Sequence, residues 1–570
     1  MRKIIYLSWI YSCVAITSVS AFADSLEDES TDESRRQAAV ASAHPLATAA
    51  GEEVLLAGGN AFDAAVAVAA ALGVVEPAGS GFGGGGFFLL HRAADGFQTM
   101  IDAREKAPQA ASVDMYLNAA GEFERTRALN GPLAGGIPGL AAGLTHLTKN
   151  YGRLSLAASL APAIRLASDG FAVTDRYKRL MGFRAAAMAV YPETAQIFMP
   201  GGIDKLSEGT QIVQPDLAST ISALASNGHI GFYAGEVANK LVDGVTSAGG
   251  IWTLQDLKDY QVVERVPVIF NYRDYRIVSA PPPSSGGIVL AETLNILENY
   301  QLQELDPLTR RHVVIEAMRR GYRDRAEYLG DPDFVEIPVA KLTSKSYAQK
   351  LGANLSLQKA TPSTDLPAIG SASEGRNTTH FSVIDADGNR VAGTLSVNYP
   401  FGAVYAPPGT GVLINNEMDD FSSRPLTPNA YGLVGDKANA IAPGKRPLSS
   451  MTPTFIESPE RIGVLGTPGG SRIISMVLLG ILSFERGESP AEWVSVKRYH
   501  HQYLPDQVQF EKGGLTAEEQ QDLKDRGHQL KEISRNYGNM HAISLSKDNG
   551  ELRAASDPRG EGRASVIAVP

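Results

Sequence analysis

The sequence predicts an α+β protein in which sheets are layered between helices. Three observations lead there. Helical periodicity fills most of the chain before residue 353, whereas strand-like alternation dominates after residue 377. An earlier block, Val266 to Ser279, alternates in the same way, so two groups of antiparallel strands are expected among the helices. The 570 residues are 44% hydrophobic and 20% charged, which permits a large buried core and excludes general disorder.

Arg2 and Lys3, the apolar stretch Ile4 to Val19, and Ala21-Phe22-Ala23 read as a secretory signal over residues 1–23, cleaved after Ala23. The mature protein is therefore expected in the periplasm or outside the cell, with no membrane attachment once the signal is removed. A retained anchor fits less well, because the acidic run Asp24 to Glu33 follows at once with no stop-transfer pattern. Residues 24–40 are expected to form a disordered acidic arm. Cys13, the one cysteine, lies in this leader, so disulfides, a cysteine nucleophile and cysteine-based metal sites are excluded from the mature chain.

Helices are predicted over Ala47 to Leu72, interrupted at Gly58-Gly59-Asn60, and then over Gly139 to Tyr151, Leu156 to Ser168, Leu217 to Ser226 and Glu236 to Ser247. Phe87 to His91 and Met100-Ile101 read as strands. Thr253-Leu254-Gln255-Asp256 has the form of a capping box that opens another helix. After the Val266 to Ser279 strands, Pro281-Pro282-Pro283-Ser284-Ser285-Gly286-Gly287 breaks into a helix from Ile288 to Asn299. A long helix covers Thr309 to Tyr328, and a polar connection runs from 353 to 377. Phe381 to Ile384 and Val391 to Val397 flank Ala386-Asp387-Gly388-Asn389, a hairpin signal. A three-residue loop ending at Gly388 sets Thr378 opposite Ser396, so that 378, 396 and 398 share a face; a two-residue loop would separate them.

Several signals point to other chemistry and do not survive inspection. A net charge of −10 without a basic cluster after the leader argues against nucleic acid. Gly79-x-Gly81-x-x-Gly84 satisfies the dinucleotide pattern literally, but a helix precedes it and a strand follows, the reverse of the required order. Its glycines read as close backbone packing. Asp385-x-Asp387-Gly388 lacks the later ligands of a calcium loop and reads as a turn. His500-His501 are adjacent rather than spaced along a helix face, so no metal site is assigned.

The chemistry converges on Arg376-Asn377-Thr378-Thr379-His380-Phe381-Ser382. A Thr that attacks its own preceding carbonyl would open the chain between Asn377 and Thr378. The new terminus would carry a hydroxyl nucleophile beside a free amine, whose ordinary pKa of roughly 7.7–8.0 suits a base at neutral pH.

Around this segment lie Gly58-Gly59-Asn60-Ala61-Phe62-Asp63-Ala64-Ala65, the glycine run at 83–86, Asp102-Ala103-Arg104-Glu105 and Asn415-Asn416-Glu417-Met418-Asp419-Asp420-Phe421. Pro447-Leu448-Ser449-Ser450-Met451 and Gly466-Thr467-Pro468-Gly469-Gly470-Ser471-Arg472 complete the set. From about residue 40 to Pro570 this ordered pattern resembles the γ-glutamyltranspeptidases. The resemblance implies an N-terminal-nucleophile hydrolase with an αββα sandwich, a proenzyme cut into a large chain (41–377 beyond the arm) and a small catalytic chain (378–570), both in one structural unit.

By the same resemblance, Thr378 is the nucleophile, Gly469 and Gly470 supply the oxyanion hole, and Ser396 stands where a Thr commonly braces the nucleophile. Arg104, Ser449 and Ser450 are expected to hold the substrate α-carboxylate, with Glu417, Asp420 and Asn398 on the α-ammonium. Without the resemblance, Arg104 would read as a surface ion pair with Glu105 or Asp102, and Glu417 and Asp420 as acids in a solvated loop. Val397 and Tyr399-Pro400 also depart from the usual residues. Pro425 to Val434 resembles a lid loop, with Tyr431 closing over the pocket.

The expected reaction transfers the γ-glutamyl group of glutathione or related donors to water, amino acids or peptides, without a cofactor. Two other readings stand beside it: a glutaryl- or cephalosporin-type acylase of the same fold, and an uncleaved exported γ-glutamyl-binding protein.

Overall fold

Thirteen strands build two large sheets. In chain order they are β1 (Gln37–Ser42), β2 (Gly85–Arg92), β3 (Phe97–Ala103), β4 (Val263–Arg265), β5 (Val268–Tyr272), β6 (Tyr275–Ser279), β7 (Thr378–Ile384), β8 (Arg390–Ser396), β9 (Thr454–Glu457), β10 (Arg461–Gly466), β11 (His541–Ser546), β12 (Leu552–Ser556) and β13 (Arg563–Ala568). The first sheet has the order β13-β1-β7-β8-β2-β3-β4, and the second β12-β11-β10-β9-β6-β5. Every pairing in both is antiparallel.

These features come from a computed structural model that describes residues 36–366, 378–422 and 437–570. The expected signal, most of the expected acidic arm, Asn377 and the expected lid with Tyr431 lie outside the described residues. Gln37–Val569 form one compact unit.

The helices that matter for the site are α1 (Pro45–Leu56), α2 (Ala61–Val75), α3 (Leu140–Tyr151), α4 (Leu156–Asp169), α5 (Gly286–Leu297), α6 (Pro307–Tyr328) and α7 (Arg472–Glu485). Sequence explains where they start. Asn60 caps α2 in a reciprocal box with Asp63, and Gly58, at φ +87°, ends the preceding turn. Every residue of α2 is buried, as its uniformly apolar and alanine-rich face pattern requires.

The layers follow from period-two alternation on the first sheet. Phe88, Leu90, Ile101, Phe381, Val383, Val391 and Leu395 point into a core shared with α1 to α4. Phe87, Leu89, Met100 and Ala392, one position out of phase, enter a second core with the other sheet and α5 to α7. Thr378, His380 and Ser382 are in phase with that second set, so they face the space between the sheets.

One boundary differs from the sequence expectation. The arm was expected to reach residue 40, yet Gln37–Ser42 form β1, which is paired on both sides and buried from Ala38 onward. Small residues buried on both faces give no polar alternation, so the strand carries little signal of its own.

Candidate active site

Thr378 opens β7 and is only 4% exposed. Asp385 and Asn389 close the hairpin around the three residues 386–388, with the Asp385 amide donating to the Asn389 carbonyl at 3.1 Å. Gly388 takes φ +86° and donates to the Asp385 carbonyl at 3.0 Å. The odd-length loop therefore forms, and Thr378 pairs with Ser396 across the hairpin. Ser396 also pairs with Gly85 on β2, whose neighbour Gly86 pairs with Ala103.

One row across the sheet thus runs from Thr378 through Ser396 and Gly85 towards Arg104. Three interstrand steps place the two end residues about 14 Å apart at Cα. A glutamyl chain and an extended arginine side chain together fill such a gap. Glycine is required in the middle of the row: a Cβ on Gly85 would lie 2.3 Å from the Ala103 carbonyl oxygen and 2.9 Å from the Glu105 carboxyl. The Gly84 position is equally tight, 2.2 Å from the Ser396 carbonyl oxygen. These contacts, with a helix before the glycines and a strand after them, agree with the packing reading of the run.

The charged part of the site gathers around Arg104. Its Nη1 lies 2.8 Å from Glu417 and its Nη2 2.5 Å from Asp420, with Glu105 at 3.5 Å. Its Nε donates to the Pro447 carbonyl at 3.3 Å, which ties it to the Ser449-Ser450 segment. Arg104 and Glu417 are each 1% exposed, so neither the surface ion pair nor the solvated acidic loop describes them. Burial opposes the Arg104 charge, but Glu417, Glu105 and Asp420 outweigh it and hold the guanidinium protonated above its ordinary range. Glu105 behaves differently: burial, then the nearby Glu417 charge, push its carboxyl well above the usual range, while Arg104 opposes that shift. Asp102 braces the base of the cluster, accepting from the Arg104 amide at 3.0 Å and from Arg265 Nε at 2.7 Å.

Asn398 completes this side. It adopts φ +70°, and its amide donates to Ser396 Oγ at 2.8 Å. Its Nδ2 donates to the Asn416 carbonyl at 2.7 Å, while its buried Oδ1 accepts no hydrogen bond among the described residues. A buried acceptor left open on a side chain bonded to the residue before Glu417 is suited to an ammonium group.

Ser449 and Ser450 lie just before β9 of the other sheet. The Ser449 carbonyl accepts from both the amide and the hydroxyl of Ser285, each at 2.8 Å, and Ser450 Oγ lies 3.3 Å from Ser285 Oγ. Gly469 and Gly470 follow β10 with φ +148° and +63°, conformations that L side chains rarely adopt. The stacking of β10 on β7 is close: a Cβ on Gly466 would lie 2.3 Å from the His380 ring. Burial holds His380 neutral, with its pKa well below the ordinary value.

Sequence reading missed Asn416, Ser285 and Glu105 as parts of this assembly. Only the Ser284-Ser285-Gly286-Gly287 break offered a signal, and it looked like a turn. One group of metal-ligand types, His312, Glu316 and His528, also comes together among the described residues. Its groups are engaged with protein partners: His312 Nδ1 meets His528 Nε2 at 2.8 Å and its Nε2 donates to the Ser356 carbonyl, while Arg319 and Arg320 hold Glu316. The two guanidiniums would also repel a cation.

An αββα sandwich with a threonine opening an inner strand, and a Gly-Gly turn after the second-sheet strand that packs on it, defines an N-terminal-nucleophile hydrolase. The profile of the gamma-glutamyltranspeptidase family matches residues 47–567. A glutathione hydrolase proenzyme of Pseudomonas sp. (strain A14) is 44% identical over 503 residues, covering 86% of each chain. The Escherichia coli (strain K12) glutathione hydrolase proenzyme is 41% identical, covering 92% of this chain and 90% of its own. Among solved structures, cephalosporin acylase from Bacillus halodurans superposes with a TM-score of 0.82 at 28% identity, covering 93% of this chain and 96% of that one. The chain belongs to the γ-glutamyltranspeptidase family.

Proposed function

We propose that this enzyme cleaves the γ-glutamyl amide of glutathione and related donors through an ester on Thr378, and passes the acyl group to water, amino acids or peptides. The observation that carries this reading is the buried contact of Arg104 with Glu417 and Asp420, together with the open Asn398 Oδ1. A glutamyl α-carbon bears one carboxylate and one ammonium, and this pocket offers a cation and acceptors side by side. Glu417 and Asp420, which meet Arg104 at 2.8 and 2.5 Å, offer carboxylate acceptors for the ammonium, and the substrate α-carboxylate turns to Arg104, Ser449 and Ser450.

In the reading proposed, the precursor first cuts itself between Asn377 and Thr378. The Thr378 hydroxyl then attacks the γ-carbonyl while its own amine takes the proton and returns it to the leaving amine, cysteinylglycine when glutathione is the donor. The Gly469 and Gly470 amides stabilise the tetrahedral oxyanion, a contribution of about 10²–10³ in rate for one such donor. Water or an incoming amine then resolves the ester by the reverse sequence. The leader supports export to the periplasm or medium, and the lid with Tyr431 closing the pocket belongs to the same proposal.

Paired donors test it. A γ-glutamyl anilide and a glutaryl anilide differ only in the α-ammonium, so kcat/KM is expected to favour the former by about 10²-fold or more, as for a lost buried charge pair. Preference for the glutaryl compound would instead support the acylase reading. An uncut chain that binds γ-glutamyl compounds without turnover would support the binding protein.

A further inference from the structure

Helix α6 is unusual for a buried element. Every residue from His312 to Ala326 is buried, yet that stretch includes Glu316, Arg319, Arg320, Arg323, Asp324 and Arg325. Charges are held inside a protein only where partners meet them, so the partners show what the helix does. Two of its side chains, Tyr322 and Arg325, are three residues apart and therefore on one face. Each reaches a different half of the active site.

The Tyr322 hydroxyl donates to the carbonyl of Ser471, the residue directly after the Gly469-Gly470 turn. Ser471 is held at its other end too, its hydroxyl donating to Gln502 Oε1 at 2.7 Å. The Gly470 carbonyl accepts from the Ile473 amide at 3.0 Å as α7 begins. Two consecutive glycines have no side chains to fix their peptide planes, so the direction of their N–H groups depends on how firmly the next residue is held.

Arg325 Nε donates to Ser285 Oγ at 2.9 Å. A hydroxyl has one proton and two lone pairs. With one lone pair taken by Arg325, Ser285 is oriented to donate to the Ser449 carbonyl, and its second lone pair faces the Ser450 hydroxyl at 3.3 Å. The serine pair is thereby aligned through Ser285, on which Arg325 acts.

We propose that Tyr322 and Arg325 are positioning residues with separate roles: Tyr322 sets the oxyanion turn through Ser471, and Arg325 sets the α-carboxylate subsite through Ser285. Both precede the Asn377–Thr378 bond, whereas Ser449, Ser450, Gly469 and Gly470 follow it. One helix of the large chain would thus align both halves of the small chain's site. The inference rests on the γ-glutamyl reading above.

Kinetics of the processed enzyme separate the two roles. Tyr322→Phe keeps the ring and removes the donor; kcat is expected to fall about tenfold with KM within about twofold, since the interaction it supports forms only in the transition state. Arg325→Gln is expected to raise KM for a γ-glutamyl anilide about tenfold with kcat within about twofold. With a γ-aminobutyryl anilide, which lacks the α-carboxylate, Arg325→Gln is expected to match the wild type, while Tyr322→Phe still loses its tenfold. Arg325→Lys, which retains a cationic donor, is expected to recover part of the affinity. If Arg325→Gln does not fold, Ser285→Ala removes the same link and carries the same expected KM signature. Equal losses in kcat and KM on both donors would overturn the proposal, as would variants indistinguishable from wild type. A wild type inactive on the γ-glutamyl anilide would instead remove the functional reading beneath it.

Discussion

The two halves of the site are built by opposite means. Around Thr378, Ser396 and His380 the site is neutral, and strand register sets its geometry: Thr378 meets Ser396 because a three-residue hairpin loop leaves them in phase. Around Arg104 the site is ionic, and its geometry comes from long-range pairs that bring residues 417 and 420 to residue 104. The neutral half tolerates loss of a single hydrogen bond at about 1 kcal/mol. The ionic half does not, because removing one partner strands the others in a buried, poorly solvated place.

Arg104→Gln gives the largest contrast. It should leave Glu417 and Asp420 uncompensated, lowering stability by about 3–5 kcal/mol in urea titration and kcat/KM by about 10²–10³-fold. Processing, which belongs to the neutral half, should still yield two fragments on a denaturing gel. An uncut Arg104→Gln chain that is otherwise folded would show that the halves are not separable.

Gly85→Ala strikes the row that joins them. The new methyl would press on the Ala103 carbonyl and the Glu105 carboxyl, so about 1–3 kcal/mol of destabilisation is expected. Slower processing and weaker substrate affinity should appear together. A change in only one of the two would place the junction elsewhere.

A smaller effect concerns pH and is spread over the molecule, with His380 in the neutral half among the groups involved. Burial depresses nine of the ten histidines: His44, His91 and His501 to about 4, His528 and His541 to about 3, with His229, His312, His380 and His500 also lowered. As pH falls below about 6.5 the unfolded chain binds protons that the folded one refuses, so stability is lost towards pH 4. Five buried carboxyls with raised pKa, Glu76, Glu105, Glu292, Asp331 and Glu485, act in the opposite direction but are outnumbered. The urea midpoint should therefore be lower at pH 5 than at pH 7; an unchanged or higher midpoint would contradict this balance.

The same contrast explains what the sequence could reveal. Period-two alternation and Gly388 were enough to place Thr378 against Ser396, because both signals are local. The helices were legible from periodicity and caps, including the Thr253–Asp256 box, which forms. The ionic half was reachable only through resemblance, since no local pattern links Arg104 to Glu417 or Asp420. Ser285 lay in a break that reads as a turn, and Tyr322 and Arg325 had no signal at all: two polar residues on a helix look like surface until their partners are seen. The strand Gln37–Ser42 was hidden for a different reason, being small and buried on both faces.

The central claim is that one threonine supplies both the hydroxyl and, once freed, the amine. N-terminal sequencing of the small fragment from active enzyme tests it most directly, alongside Thr378→Ala. The account predicts a fragment beginning Thr-Thr-His-Phe and a single uncut, inactive chain for the variant. Enzyme that turns over γ-glutamyl donors without that terminus would contradict it.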